Sequence, residues 1–262
     1  QGTGTITNDD VDPCAAYTFP YTMTGNTPAE LIAAINCANV NGMSADTIDL
    51  NGQTVALTAS YASIFGTNIA LPEITTPLTI RNGTITRSGT QLFRFLLNYS
   101  TLNLNNLVVS NADSQGDGGA INNGPAAALT INSSRIIGNY GNFGGAIFNS
   151  TTATATLTNT LVSGNRSNSQ GGGIRNRGIL ILNNSTVAAN FTTSGAEGGG
   201  GEAGADFEGG EASRLPAGPA FDAHDAGRAW EEGKAAAGGD RRHPRACAAG
   251  WVAGAFVSIC AD

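Results

Sequence analysis

The feature that most constrains this chain is that it repeats itself. Gly118-Gly119-Ala120-Ile121, Gly144-Gly145-Ala146-Ile147 and Gly172-Gly173-Ile174 place isoleucines 26 and 27 residues apart, and a period in this range marks an architecture of stacked units. Each unit runs on into a second matching segment. Leu129-Thr130-Ile131-Asn132 leads to Ile136 and Asn139, Ala155-Thr156-Leu157-Thr158 to Val162 and Asn165, and Leu180-Ile181-Leu182-Asn183 to Val187 and Asn190. Weaker copies occupy 102–111 and 78–85.

Within each unit the apolar residues alternate, with Gly or Asn at every break, and nothing recurs at helical spacing. This is the pattern of short strands, so the expected fold is all-β, a parallel β-solenoid with about 26 residues per coil. Ile131, Leu157 and Leu182 are expected to stack inward at the strand spacing of about 4.8 Å. Ser133, Asn159 and Asn184, two residues on, are expected to point inward at a turn, with Asn159 and Asn184 as rungs of an amide ladder. Asn139, Asn165 and Asn190 mark another turn and a second candidate ladder.

Ahead of the coils, residues 27–39 read as one helix. Thr27 and Glu30 have capping-box spacing, and Pro28 falls at the first helical position, where its missing N–H costs nothing. Leu31, Ile35 and Ala38 share a face suited to covering the open end of the first coil. The run Leu31-Ile32-Ala33-Ala34-Ile35-Asn36-Cys37-Ala38-Asn39, followed by Ala45-Asp46-Thr47-Ile48-Asp49-Leu50, resembles the N-terminal element of bacterial secreted β-helix proteins, C-S-L-R-E-A-I-x-x-A-N and then A-D-T-I-x-L. It departs from that element at Ala29, Ile32 and Ala33. The Gly-Gly-Ala-Ile units are similar to the repeats of bacterial surface β-helix proteins and polymorphic outer-membrane proteins, with Ile136, Val162 and Val187 where those proteins carry Phe. The resemblance spans 27–196. It implies a right-handed parallel β-helix of the pectin-lyase-like kind with an N-terminal capping helix, exported to the bacterial surface or beyond; it does not fix an activity.

The composition divides near residue 196. Residues 197–262 lack Thr and Asn yet hold His224, His243, Trp230, Trp251 and Lys234, so the body has no His, Lys or Trp. That excludes from the body Ser-His-Asp and Cys-His activation, His-based zinc sites, Schiff-base chemistry and a P-loop lysine. With 13 Lys and Arg against 20 Asp and Glu, nucleic acid is not an expected partner. No apolar run reaches the roughly 18 to 20 residues of a membrane helix. Cys14 and Cys37 fit either a disulfide that ties down the N-terminus in an oxidising compartment or two unrelated buried thiols. The chain starts at Gln1 without a charged-then-apolar leader, as expected of a removed signal peptide or of a fragment.

Carboxylate chemistry is the enzymatic option left. Paired acids must stand roughly 5 to 9.5 Å apart, and the candidates are Glu73, Asp113 and Asp117, with Asp46 and Asp49 nearer the helix. Asp113 and Asp117 share one Gly-rich loop, which reads as a solvated turn or, alternatively, as a calcium loop. Arg135, Arg166, Arg175 and Arg177 are the cations a lyase would draw on, and equally read as surface charge; Arg166 and Arg177 sit at breaks, and Arg175 projects from a strand. The Gly-His-Gly and Arg-x-Lys signatures of pectin hydrolases do not occur in the body. The Thr154, Thr156, Thr158 and Thr160 array is not maintained in the neighbouring coils, which argues against ice binding. Sequons such as Asn82-Gly83-Thr84 and Asn98-Tyr99-Ser100 are expected by chance in a chain this rich in Asn and Thr.

The organisation read from sequence is therefore an N-terminal segment (1–26), a capping helix and connection (27–45), a parallel β-helix (46–196) and an aperiodic Ala/Gly-rich tail (197–262). That tail reads as a disordered linker with a small piece from Trp251 to Cys260, or as the product of a shifted reading frame in which His224 and His243 carry no meaning. No residue is assigned a catalytic, cofactor-binding or metal-binding role. The function expected is a non-catalytic extracellular or cell-surface module, adhesin-like or scaffold, engaging glycans or proteins; the alternative is a polysaccharide lyase or glycoside hydrolase on the same fold.

Overall fold

The computed structural model describes residues 12–42 and 44–193, and the backbone of the strands Phe207–Gly209, Cys247–Val252 and Ala255–Cys260. Apart from those strands, the tail and the readings placed on it lie outside the described residues. Short strands stack in parallel as a β-solenoid of about seven turns, with one helix among the described residues, Pro28–Val40.

The strands stack into three walls. The main wall carries two inward-facing runs per coil, as in Thr101–Ser110, which pairs in register with Leu78–Arg87 below and with Ala128–Asn132 and Arg135–Ile137 above. A second wall stacks Leu96–Asn98, Ile121–Asn123, Ile147–Asn149 and Ile174–Asn176. A third stacks Tyr140–Gly141, Arg166–Ser167 and Phe191–Thr192. Arg166 thus lies in a strand rather than at a break.

The core follows from this register. Ile48, Ile80, Leu104, Ile131, Leu157 and Leu182 form one column through the main wall, so the expected superposition of Ile131, Leu157 and Leu182 holds. The first five are fully buried and Leu182 is partly buried. A second column runs Ile85, Val109, Ile136, Val162, Val187. Burying each such side chain is worth about 1.5 to 3 kcal/mol, and identical spacing lets every one pack against its own kind.

Asn159 and Asn184 do form a rung, Asn184 Nδ2 donating to Asn159 Oδ1, but on the outside. Together with Ser133 they are exposed, at φ of 49°, 51° and 47° for 133, 159 and 184. The left-handed corner turns the side chain outward and the next residue inward. The buried hydroxyls at this corner belong to Ser134, Thr160 and Ser185. The second candidate ladder is internal: Asn139 Nδ2 donates to Asn165 Oδ1 at 2.9 Å and Asn165 Nδ2 to Asn190 Oδ1 at 2.8 Å, all three buried.

A third ladder was not anticipated. Asn98, Asn123, Asn149 and Asn176 are each fully buried, and each Nδ2 donates to the next Oδ1 at 2.7 to 2.8 Å. Its signal is an Asn two positions after the isoleucine of every Gly-Gly unit. The second Gly of those units is obligatory for another reason. A Cβ on Gly119 would lie 2.0 Å from Gly145 O, and one on Gly145 would lie 2.1 Å from Gly172 O.

The helix closes the open end. Thr27 Oγ1 accepts from Glu30 N, as the capping box requires. Glu30 does not return the bond to Thr27; its carboxylate accepts from Thr24 N at 2.7 Å, Gly25 N at 3.0 Å and the Tyr21 hydroxyl at 2.8 Å. Leu31, Ala34, Ile35 and Ala38 join the solenoid core. The exposed strand edge is covered separately, by Tyr21–Thr22 pairing with Ile48–Asp49. Cys14 and Cys37 are disulfide-bonded, which decides between the two readings of that pair.

Candidate functional site

The register sends the acids in different directions. Asp46 is buried beneath the column Leu78, Leu102, Leu129. Asp49 is tied to Arg81 at 2.8 Å and accepts from Asn51 N and Asn82 Nδ2. Burial pushes its pKa up, but those hydrogen bonds and the Arg81 charge outweigh this and hold it below the usual range. Asp113 and Asp117, near neighbours in sequence, part company: Asp113 pairs with Arg87 at 3.4 Å on the third wall. Arg166 on that wall lies over the Tyr140 ring, 4.4 Å from its centroid, and 6.0 Å from that of Phe191. Arg135 is exposed on the main wall. No group of three or more His, Cys, Asp or Glu able to hold a metal occurs among the described residues.

Asp117 stays with the second wall, and there the structure gathers something sequence reasoning missed. Alternation puts Phe93 and Phe95 into the core and turns Arg94 outward, yet Arg94 is only 4% exposed because the loop ending at Gly118 lies over it. Arg94 Nε donates to Gly118 O at 3.0 Å. Gly116 makes the cover possible, since a Cβ there would stand 2.9 Å from Arg94 Nη2 and 2.4 Å from Thr67 Oγ1. Tyr99 flanks the same strand, Leu96–Asn98, on its other side, and its ring rests on Gly124.

Electrostatics knit this cluster together. Burial pulls the Arg94 pKa down to about 10, against the opposing pull of Asp117 and Tyr99. Burial pushes Asp117 up, against Arg94 and Arg177. Tyr99 is raised by burial and then by Glu73, with Arg94 opposing. Arg94 and Arg177 therefore both act on Asp117, and Arg94 and Glu73 both act on Tyr99, while Asn122 Nδ2 donates to Asp117 O at 3.4 Å. Of the residues singled out from sequence, Arg177 acts on Asp117 and Glu73 acts on Tyr99. Arg94 acts on both Asp117 and Tyr99, and its only sequence sign was a charge between two phenylalanines.

No family model matches the chain, and neither the curated proteins nor the solved structures yield a match. No described helix is long and apolar enough to cross a membrane.

Proposed function

We propose that this chain is a non-catalytic β-helix module, exported to the bacterial surface or beyond, that acts as an adhesin-like or scaffold element by engaging glycans or proteins along its sides. The observation that carries this reading is the regularity of the outer main wall. Thr79, Asn103, Thr130 and Thr156 stand in one outward column, which continues to Ile181, and Arg81, Asn105, Asn132, Thr158 and Asn183 in the next. A largely uncharged, hydrogen-bonding surface suits many weak contacts rather than one reacting centre. The dispersal of the acids, with Asp49 and Asp113 each bound to its own arginine, supports the same reading. Binding of the purified protein to an array of glycans and extracellular proteins is the test, and silence across the array would overturn it.

A second reading, a polysaccharide lyase or glycoside hydrolase, draws support from Asp117, half-buried and held in the field of Arg94 and Arg177. Cleavage of uronic-acid polymers in the presence of calcium, lost in Asp117→Ala, would favour it over the first.

A further inference from the structure

Charge is unevenly placed along the solenoid. Residues 118–193 hold Arg135, Arg166, Arg175 and Arg177 and no Asp or Glu, within a chain whose formal charge is -7. One of these arginines has a fixed setting. Parallel pairing stacks Tyr140, Arg166 and Phe191 in one column of the third wall, and the guanidinium carbon lies 4.4 Å from the Tyr140 centroid and 6.0 Å from that of Phe191. The two rings restrain the side chain by cation–π attraction, yet Arg166 is exposed and forms no ion pair with a described residue. The acid one step down the column, Asp113, is already paired with Arg87 at 3.4 Å. Two residues on, past the buried Ser167, Asn168 is exposed as well. Its Oδ1 accepts from the Tyr140 hydroxyl and, at 3.2 Å, from the Thr193 hydroxyl, while its Nδ2 donates to no described residue.

The donors on this wall select their partner. A guanidinium flanked by rings offers its rim of N–H groups, which matches two oxygens of a carboxylate or a sulfate. Beside it, the Asn168 amide supplies further donors that suit a hydroxyl oxygen. A single arginine among amides and hydroxyls fits a polymer whose charges are sparse and whose remaining surface is hydroxyl. A nucleic acid, with a charge on every unit, calls for a denser basic track. We propose that Arg166 and Asn168 form an anchoring site for an acidic glycan, the guanidinium holding a carboxylate or sulfate and the Asn168 amide a neighbouring sugar hydroxyl. This rests on the glycan-binding reading above and adds to it a second face with a preference for charge.

The test is equilibrium binding of the purified protein to three polymers that share one backbone: dextran, carboxymethyl-dextran and dextran sulfate. Polyglutamate and oligothymidylate serve as anions of other classes. The expected result is binding to at least one charged dextran and none to dextran itself, and which of the two binds separates carboxylate from sulfate. Arg166→Gln should lower that affinity at least about tenfold, at an unchanged melting midpoint. Asn168→Asp, which sets a carboxylate beside the guanidinium, should do the same. Arg135→Gln, which removes an equal charge from the main wall, should change it less than about twofold. Equal losses in Arg166→Gln and Arg135→Gln, or tighter binding of polyglutamate or oligothymidylate, overturn the proposal. Failure of both charged dextrans where neutral glycans of the array bind sinks this site and leaves the surface-module reading standing; silence across the array as well sinks both.

Discussion

Asn123 Nδ2 donates to Asn149 Oδ1 at 2.8 Å with both side chains fully removed from solvent. Asn149 in turn reaches Asn176 Oδ1 at 2.7 Å and Ile179 O at 2.9 Å. One amide therefore serves the coil below, the coil above and a strand carbonyl of that next coil, and a chain of such groups strengthens each member. Asn149→Ala strands several of them in a dry interior, and the expected cost is about 3 kcal/mol or more. The exposed rung at Asn184 makes a fair control, since Asn184→Ala exchanges one solvated bond for strain at a left-handed corner, worth about 1 kcal/mol. Chemical denaturation of both variants reads the difference, and equal losses would show that burial of the ladder contributes nothing.

Two glycines of neighbouring corners should separate steric need from conformational need. Gly145 is pressed against backbone, with the carbonyls of Gly172 and Arg166 2.1 and 2.4 Å from where a Cβ would be. Neither atom can retreat without parting two coils, so Gly145→Ala should cost about 3 kcal/mol or more. Gly164 has φ +66° but no atom nearer than 4.0 Å to such a Cβ, and Gly164→Ala should lose only about 1 kcal/mol. Thermal melts are sufficient to rank them. A Gly145→Ala protein as stable as Gly164→Ala would mean that the coils are not packed as closely as their backbones indicate.

The sequence disclosed the columns because strand alternation and a constant repeat fix both which residues turn inward and which of them superpose; Ile131, Leu157 and Leu182 required nothing more. Counting by two fails at a corner. Ser133, Asn159 and Asn184 hold φ near +50°, so the parity of inward and outward resets there, and the buried polar group moves to Ser134, Thr160 and Ser185. The ladder from Asn98 to Asn176 was visible as a constant spacing from the Gly-Gly units, but an Asn beside a turn looks the same whether buried or solvated. The candidate site was harder to see. Arg94 belongs to a coil whose repeat is faint, and it is buried by a loop from the next coil, a relationship between chain segments that no local pattern encodes. Asp113 and Asp117 looked like a pair because they share a loop, yet that loop crosses from the third wall to the second and carries them apart.

Reduction of Cys14–Cys37 should loosen the capped end before the coils. The bond joins the N-terminal segment to the helix across 23 residues of chain, and opening a loop of that size releases about 3 kcal/mol of conformational restraint in the unfolded state. The helix retains its packing against the strands Asp46–Asp49 and Thr54–Leu57, so the solenoid should still form. Hydrogen exchange in the presence and absence of reductant should show faster exchange over residues 21–40 with little change at 129–163. Uniform acceleration along the chain would instead make the disulfide a determinant of the whole fold.

The cap should also be sensitive to acid through Glu30. Burial pushes this carboxyl up, but bonds from Thr24 N, the Tyr21 hydroxyl, Gly25 N and the Thr24 hydroxyl outweigh it and leave the pKa lowered. A carboxylate lowered in the folded state contributes stability above its unfolded pKa and loses it as pH falls through the folded value. The partner behaves in the opposite sense. Tyr21 is raised to about 12, by burial first and then by Glu30, so its share is complete below the usual tyrosine value near 10 and is lost as pH rises through about 12. The Tyr21–Glu30 bond is therefore whole across neutral pH and fails at both extremes. Glu30→Gln should lower the melting midpoint at pH 7, and the gap from the parent protein should shrink steadily as the pH is taken below the ordinary carboxylate range. A gap that stays constant down to strong acid would show that Glu30 holds the N-terminal segment by shape rather than by charge.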